Sequence, residues 1–334
     1  MKEKTYILAD IGGTNTRFAL ARYEQNACTY TKHSSAPLNN VRELYTAFHQ
    51  LTAENDIAGV VLGVAAAVSE NSATPPNWKD NNTIVFSELA GPDCIPVFAL
   101  NDLEAAAWGI NSCPAIHLFG PPLPPHSTRE KVKNKILIAP GTGLGCAAII
   151  NGTPQAAEFQ HSAIPAINPI HRTVIDWIQE TYNKDIVSWE DCVSGYGLES
   201  IYEALSNIDM AASVSKRGAA KLTASQIGKK ALYEKSRGTF GTAYHALKMY
   251  YQCLARFSQV AALAYMAKGG VYISGASTLY NRPFITTELL QTEFLKIEKQ
   301  QDFIRSIPLF IVEKDMVFTG LEQYLRHLIQ EQKV

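Results

Sequence analysis

The chain has 334 residues, and 30 Lys and Arg against 31 Asp and Glu give a formal charge of −1, which argues against a nucleic-acid surface or a polybasic membrane patch. Apolar residues make up 46% and charged residues 18%, as in an ordinary globular protein, and the length exceeds what one hydrophobic core holds, so two domains are expected. No apolar run approaches the roughly 20 residues of a spanning helix, and Met1-Lys2-Glu3-Lys4 leads into a strand rather than a signal-peptide core, so the expected location is the cytoplasm. Cys28, Cys94, Cys113, Cys146, Cys192 and Cys253 are scattered without a C-x-x-C pair, the pattern of reduced thiols and not of a disulfide framework or zinc site.

An apolar strand, Tyr6 to Ala9, runs into Asp10-Ile11-Gly12-Gly13-Thr14-Asn15, and the period-two stretch Thr16 to Tyr23 predicts a strand leading out. The unit is a hairpin, unlike the strand–turn–helix of a dinucleotide fingerprint, and it has no P-loop Lys. Gly12 and Gly13 allow several backbone N–H groups to converge on an anion. Thr14 and Asn15 add a hydroxyl and an amide, and Asp10 is placed to hold a hydrated magnesium ion. A plain tight hairpin explains the same residues, and the motif alone leaves both readings open. Ala27–Lys32 predicts a third strand, Val41–Ala53 a helix, and Gly59–Ala65 a strand covered on both faces. After a Pro- and Asn-rich loop, Thr74–Asp80, come a buried strand at Pro96–Leu100, then Asn101 and Asp102, then a helix at Leu103–Ile110. Pro-rich residues 114–127 and the charged stretch 129–135 read as a seam.

The opening pattern then recurs: Ile136–Ala139 leads into Pro140-Gly141-Thr142-Gly143-Leu144-Gly145, with Cys146–Ile150 leading out and Pro154–Phe159 as a candidate third strand. Helical patterns follow at Ile170–Tyr182, Asp191–Leu205, Ala224–Lys235 and Phe240–Lys268, the last apolar enough for a central buried helix. Gly269–Ala276 predicts a strand ending in a turn, Phe284–Ile297 a helix, Ile307–Val312 a strand and Thr319–Gln332 a closing helix. Each half is a meander followed by strand–helix–strand–helix, which points to a degenerate duplication with the two Gly-rich turns on one cleft.

Asp102 follows a buried strand, where a carboxylate near phosphate turns could accept the proton of a hydroxyl attacking a γ-phosphoryl group. Asn101-Asp102-Leu103-Glu104 is also a good helix N-cap with Glu at N3, and both roles can coexist. The Gly141-Thr142-Gly143 turn suits β- and γ-phosphates, and Gly275 would let adenine or ribose approach the backbone, although such turns also merely link elements. Glu158, His161 and Glu190 suit the hydroxyls of a sugar. Their plain readings are a structural hydrogen bond for His161 and a solvated helix start for Glu190. Gly228-Lys229 is not a P-loop, since position 223 is Thr.

Together the blocks Asp10–Arg17, Asn101–Ala105, Pro140–Gly145, Ser188–Leu198 and Gly269–Ala276 resemble the bacterial glucokinase family, in order, from residue 5 to about 330. The resemblance implies an α/β actin-like two-lobe ATPase (ribonuclease H-like) fold that transfers the γ-phosphoryl of ATP, with Mg²⁺, to the 6-hydroxyl of glucose, in a protein that is commonly a homodimer. It implies Asp102 as general base and Asn77, Asn101, Glu158, His161 and Glu190 as sugar ligands. It also implies the turns Gly12-Gly13-Thr14-Asn15 and Gly141-Thr142-Gly143 as phosphate loops. The small domain would be 1–112 plus about 318–334, and the large one 113–317 with a helical insertion. Where the family typically reads Glu-Gly-Gly-His, this chain reads Glu158-Phe159-Gln160-His161, and two bulky residues in place of glycines are expected to reshape the pocket. A kinase of mannose, an N-acetylated hexosamine or fructose, or a non-catalytic sugar-sensing protein, therefore stays in view. The Cys-rich zinc motif of the related repressor-and-sugar-kinase family is absent, as is an N-terminal helix-turn-helix.

Overall fold

The computed structural model describes residues 4–12, 15–24, 27–38, 40–75, 78, 83–91, 94–122, 133–211 and 221–334. They divide into one unit of Met1–Cys113, Thr153–Ala156 and Lys314–Val334, and a second of Pro114–Gly152 and Ala157–Glu313.

In the first unit β1 (Lys4–Ile11), β2 (Thr16–Glu24) and β3 (Ala27–Ala36) form the expected meander. α1 (Val41–Glu54) follows, its first turn closed by the Asn40 side chain accepting the Glu43 N–H, and then β4 (Ile57–Val64). A small hairpin of β5 (Ser72–Ala73) and β6 (Ile84–Val85) precedes α2 (Phe86–Ala90), β7 (Val97–Asn101) and α3 (Asp102–Trp108). The sheet order is β3-β2-β1-β4-β7, with β1, β4 and β7 parallel. β1 is apolar from Tyr6 to Ala9 because both of its faces are buried there. Ile7, Ala9 and Ile11 pack with Leu44, Phe48 and Leu51 of α1 on one side. Tyr6 and Leu8 pack with Phe318, Leu321 and Leu325 of the C-terminal helix on the other, as the period of two requires.

In the second unit β8 (Ala115–Phe119) occupies what the sequence reads as a Pro-rich seam; it pairs antiparallel with a later strand. β9 (Lys135–Pro140) and β10 (Leu144–Ile150) form a hairpin. The strand expected at Pro154–Phe159 is β11 (Thr153–Ala157), of which Thr153–Ala156 count with the first unit, followed by a 3₁₀ turn at Phe159–His161. The helices are α4 (Pro169–Thr181), α5 (Gly195–Ala211), α6 (Ala224–Ser236) and α7 (Thr242–Ala264). Then come β12 (Val271–Ile273), α8 (Ala276–Tyr280), α9 (Thr287–Phe294), α10 (Gln301–Arg305) and β13 (Leu309–Val312); α11 (Val317–Gln330) returns to the first unit.

The helix expected from Asp191 starts four residues later. Asp191 instead closes a turn, its carboxylate accepting the Ser188 backbone N–H at 2.8 Å, which is the local alternative that Asp offers to helix. α7 is the buried central helix its composition predicts: Leu247, Tyr251, Leu254 and Phe257 are fully covered. β9 is antiparallel to β10 and parallel to β12, which is parallel to β13. The series β10-β9-β12-β13 thus repeats the pattern of β2-β1-β4-β7, which is the duplication expressed in hydrogen bonds. Among the described residues no helix is long and apolar enough to cross a membrane.

α3 and α11 meet backbone to backbone in the first unit. A Cβ on Gly320 would lie 1.7 Å from the Ala105 carbonyl oxygen, so any side chain there forces the helices apart. Gly320→Ala is expected to lower the unfolding free energy by about 2–3 kcal/mol, measured by urea denaturation.

Candidate active site

The first unit presents two polar points at the carboxyl ends of parallel strands. Asp10, at the end of β1, is 8% exposed and faces Arg17 across the hairpin; Arg17 donates from Nε to Oδ2 at 2.6 Å. The same guanidinium pairs with Asp315 and lies 5.4 Å from the Phe318 ring, anchoring the hairpin to α11. Burial pushes the Asp10 carboxyl above its ordinary range, against the pull of Arg17. In the turn, the Gly12 N–H donates to the Asn15 carbonyl at 3.0 Å, and a Cβ on Gly12 would sit 2.9 Å from that oxygen. Gly13, Thr14 and Asn77, expected in the phosphate turn and the sugar site, lie outside the described residues.

Asn101 and Asp102 end β7 and open α3. Asn101 is the N-cap, its Oδ1 accepting the Leu103 N–H at 3.0 Å, and its Nδ2 donates to the Ala66 carbonyl at 3.1 Å. Asp102 Oδ1 accepts the same Leu103 N–H at 2.9 Å. Burial raises the Glu104 carboxyl above its ordinary range, against a hydrogen bond with the Asn101 backbone. Asn101 therefore caps the helix and fixes where the Asp102 carboxylate emerges.

The second unit brings Glu158, His161 and Glu190 together. His161 Nε2 lies 3.3 Å from Glu158 Oε2, and its Nδ1 lies 3.8 Å from Glu190 Oε1. Glu190 is no solvated helix start: its Oε2 accepts the Leu144 N–H at 2.8 Å, just past the Gly141–Gly143 turn. A Cβ on Gly143 would sit 2.7 Å from that same oxygen, so the missing side chain is what admits the carboxylate. The turn is tied on its other side by the Gly195 N–H donating to the Gly141 carbonyl at 2.8 Å, which sets the start of α5 against it. A helix N-terminus beside a Gly-rich turn suits an anion.

Phe159 and Gln160 follow Glu158 directly. They lie in a 3₁₀ turn, where φ is negative, so no glycine is required. The Phe159 ring turns into the core and stacks on Phe257 with centroids 4.7 Å apart.

A cavity lined by Gly141, Gly195, Ala224, Gly228, Ala276 and Asn281 opens beside the turn. Gly275, at φ +114°, starts α8 at its edge, and a Cβ there would meet the Pro140 carbonyl at 2.7 Å. Gly228 and Asn281 were not legible as site residues. The one signal was Gly228 inside a helix, explained by the close approach of Asn281, whose Oδ1 a Cβ on Gly228 would meet at 2.8 Å.

Glu190 is followed by a buried support. Asp191 is pushed up by burial but held, on balance, below its ordinary range by Lys184 at 2.8 Å and by Ser188. Two residues past Glu190, the buried Cys192 thiol lies below its ordinary range, lowered by a hydrogen bond with Cys253 and by His171, against burial. His171 Nδ1 accepts the Ile167 N–H at 3.1 Å and Nε2 lies 3.5 Å from Cys253 Sγ, so His171 is structural.

Solved structures share this architecture. The glucokinase of Balamuthia mandrillaris in complex with glucose superposes with a TM-score of 0.78 at 24% identity, over 97% of this chain and 94% of that one. A glucokinase from an Antarctic psychrotroph gives 0.77 at 18%, over 98% and 99%. The fold is the actin-like ATPase fold of the ATP-dependent sugar kinases. Glucokinases of Nitrobacter hamburgensis and Colwellia psychrerythraea are each 28% identical, over 94% of this chain and 95% of the former, and over 96% of this chain and 96% of the latter. The glucokinase family model matches residues 7–328, and the chain belongs to that family.

Gly143→Ala is expected to expel Glu190 from the Leu144 N–H and raise the sugar KM about tenfold, with a smaller effect on ATP, as steady-state kinetics would show.

Proposed function

We propose that the protein transfers the γ-phosphoryl group of ATP to the 6-hydroxyl of glucose, giving glucose 6-phosphate. The observation that carries this reading is the Glu190 carboxylate. It lies 3.8 Å from His161 and accepts the Leu144 N–H beside the Gly141–Gly143 turn, which supports a sugar ligand and a phosphate turn sharing one residue. Family membership supports the reaction, and the glucose complex of the Balamuthia protein supports the choice of sugar. A Streptomyces griseus ROK family glucokinase, solved with glucose and AMPPNP, superposes with a TM-score of 0.53 at 18% identity and supports ATP as donor.

In this reading Glu158, His161 and Glu190 bind sugar hydroxyls, each of which is donor and acceptor at once. Asn101 and Asn77 add hydrogen bonds, and Asp102 accepts the proton of the 6-hydroxyl as it attacks. The amides around Gly12 and Gly141, with Gly13, Thr14, Asn15, Thr142 and Gly143, hold phosphoryl oxygens. The cavity at Gly275 and Asn281 takes the nucleoside. Asp10 is an oxygen donor of the type Mg²⁺ takes, and would hold it through water beside the phosphates. The ion, when bound, neutralises charge on the β- and γ-phosphoryl oxygens. A cytoplasmic homodimer without nucleic-acid or membrane partners fits the near-neutral charge.

The Phe159 ring stacks on Phe257 in the core, which supports glucose as the sugar despite the change at this position. ADP release from Mg-ATP with a panel of glucose, mannose, fructose and N-acetylated hexosamines tests this. Glucose well above the rest is expected; activity with another hexose alone moves the specificity, and activity with none turns the reading to a sugar sensor. Asp102→Ala is expected to cut kcat by about 10²–10⁴-fold with little change in sugar affinity. Near-normal turnover in that variant would remove Asp102 as the base.

A further inference from the structure

We propose that Gln160 is a positioning residue for sugar recognition, holding Glu158 in its binding orientation; this rests on the sugar-kinase reading above. Gln160 stands where the family typically has glycine, and it is 4% exposed. Its side-chain Nε2 donates to Glu158 Oε2 at 2.7 Å, and its backbone carbonyl accepts the Glu190 N–H at 3.2 Å. One buried residue thus touches both carboxylate residues of the cluster.

The orientation of its amide follows from chemistry. An ionised carboxylate only accepts, so the NH₂ side must face Glu158, which leaves Oε1 buried without a partner. A residue kept for packing alone carries no such cost.

What Gln160 offers in return is order. The Glu158 side chain is 69% exposed, at the mouth of a 3₁₀ turn, and among the described residues only His161 would restrain it without Gln160. An exposed Glu samples many rotamers, and fixing one on binding costs conformational entropy. Gln160 and His161 converge on the same Oε2, which presents Oε1 to a hydroxyl before sugar arrives. Where the family uses bare backbone, this chain has placed a second ligand to its sugar-binding carboxylate. The consequence falls on sugar affinity and not on the phosphoryl-transfer step.

The test is glucose binding without ATP, by calorimetry, together with steady-state kinetics, on wild type, Gln160→Met and Gln160→Ala, each alone and in a Glu158→Ala background. Met keeps the volume without the donor and Ala removes both, so agreement between them separates hydrogen bonding from packing. Glucose Kd and KM are expected to rise about tenfold in both variants, with kcat and the KM for ATP within about twofold, and to rise no further once Glu158 is Ala. Unchanged glucose affinity in the folded Met variant, an equal loss in the Glu158→Ala background, or a fall confined to kcat overturns the proposal. If Glu158→Ala weakens glucose and the Gln160 variants do not, only the role of Gln160 falls. If wild type neither binds glucose nor phosphorylates any hexose, the sugar-kinase reading falls with it.

Discussion

The hydrogen bond from the Leu144 N–H to Glu190 Oε2, 2.8 Å long, ties the Gly-rich turn of the second unit to the segment that carries Glu190. It crosses 46 positions of chain, and Gly143 leaves the carboxylate the space it occupies, since a Cβ there would sit 2.7 Å from Oε2. Through it the Gly-rich turn is tied to the residue whose other oxygen lies 3.8 Å from His161. A charge-assisted bond of this kind is stronger than a neutral one, and it takes its orientation from the backbone. The Asp191 turn, the buried Cys192–Cys253–His171 group and the Gln160 carbonyl all hold the segment from which Glu190 projects.

The first unit solves a related problem by different means. Its polar points sit at the carboxyl ends of β1, a central strand buried on both faces, and of β7, a half-buried edge strand parallel to β4. Asp10 is set by its cross-strand partner Arg17, which also ties the hairpin to α11 through Asp315 and Phe318. Asp102 is set by the cap that Asn101 forms. The same dipeptide thus begins a helix and presents a carboxylate; capping and chemistry are not competing explanations.

The repeated series of one antiparallel pair followed by parallel strands explains why two Gly-rich turns exist at all. In each unit the turn joins the first two strands of the pattern, β1 to β2 and β9 to β10, where the backbone reverses at the strand's carboxyl end. A duplicated topology places such a turn at the equivalent point of each sheet, although few of the residues around the two turns match.

Much of the fold was legible because it is local. The period of two in Thr16–Tyr23, the doubly buried run of β4, the capped amphipathic α1 and the apolar α7 all follow from spacing that a short window contains. Boundaries and partners were less so. The strand at Ala115–Phe119 hides among prolines because its reason for existing is β13, nearly 200 residues away. Asp191 reads as a helix start until Ser188 and Lys184 claim its carboxylate. Of the site, the residue types and their order came from the chain itself, since glycines, Asp102 and the Glu158–His161 spacing are written there. Only the tertiary structure decided that Phe159 faces the core, that Gln160 grips Glu158, and that Gly228 yields to Asn281. Those outcomes depend on which surfaces meet at long range, where packing and desolvation choose among side-chain directions that local periodicity leaves equal.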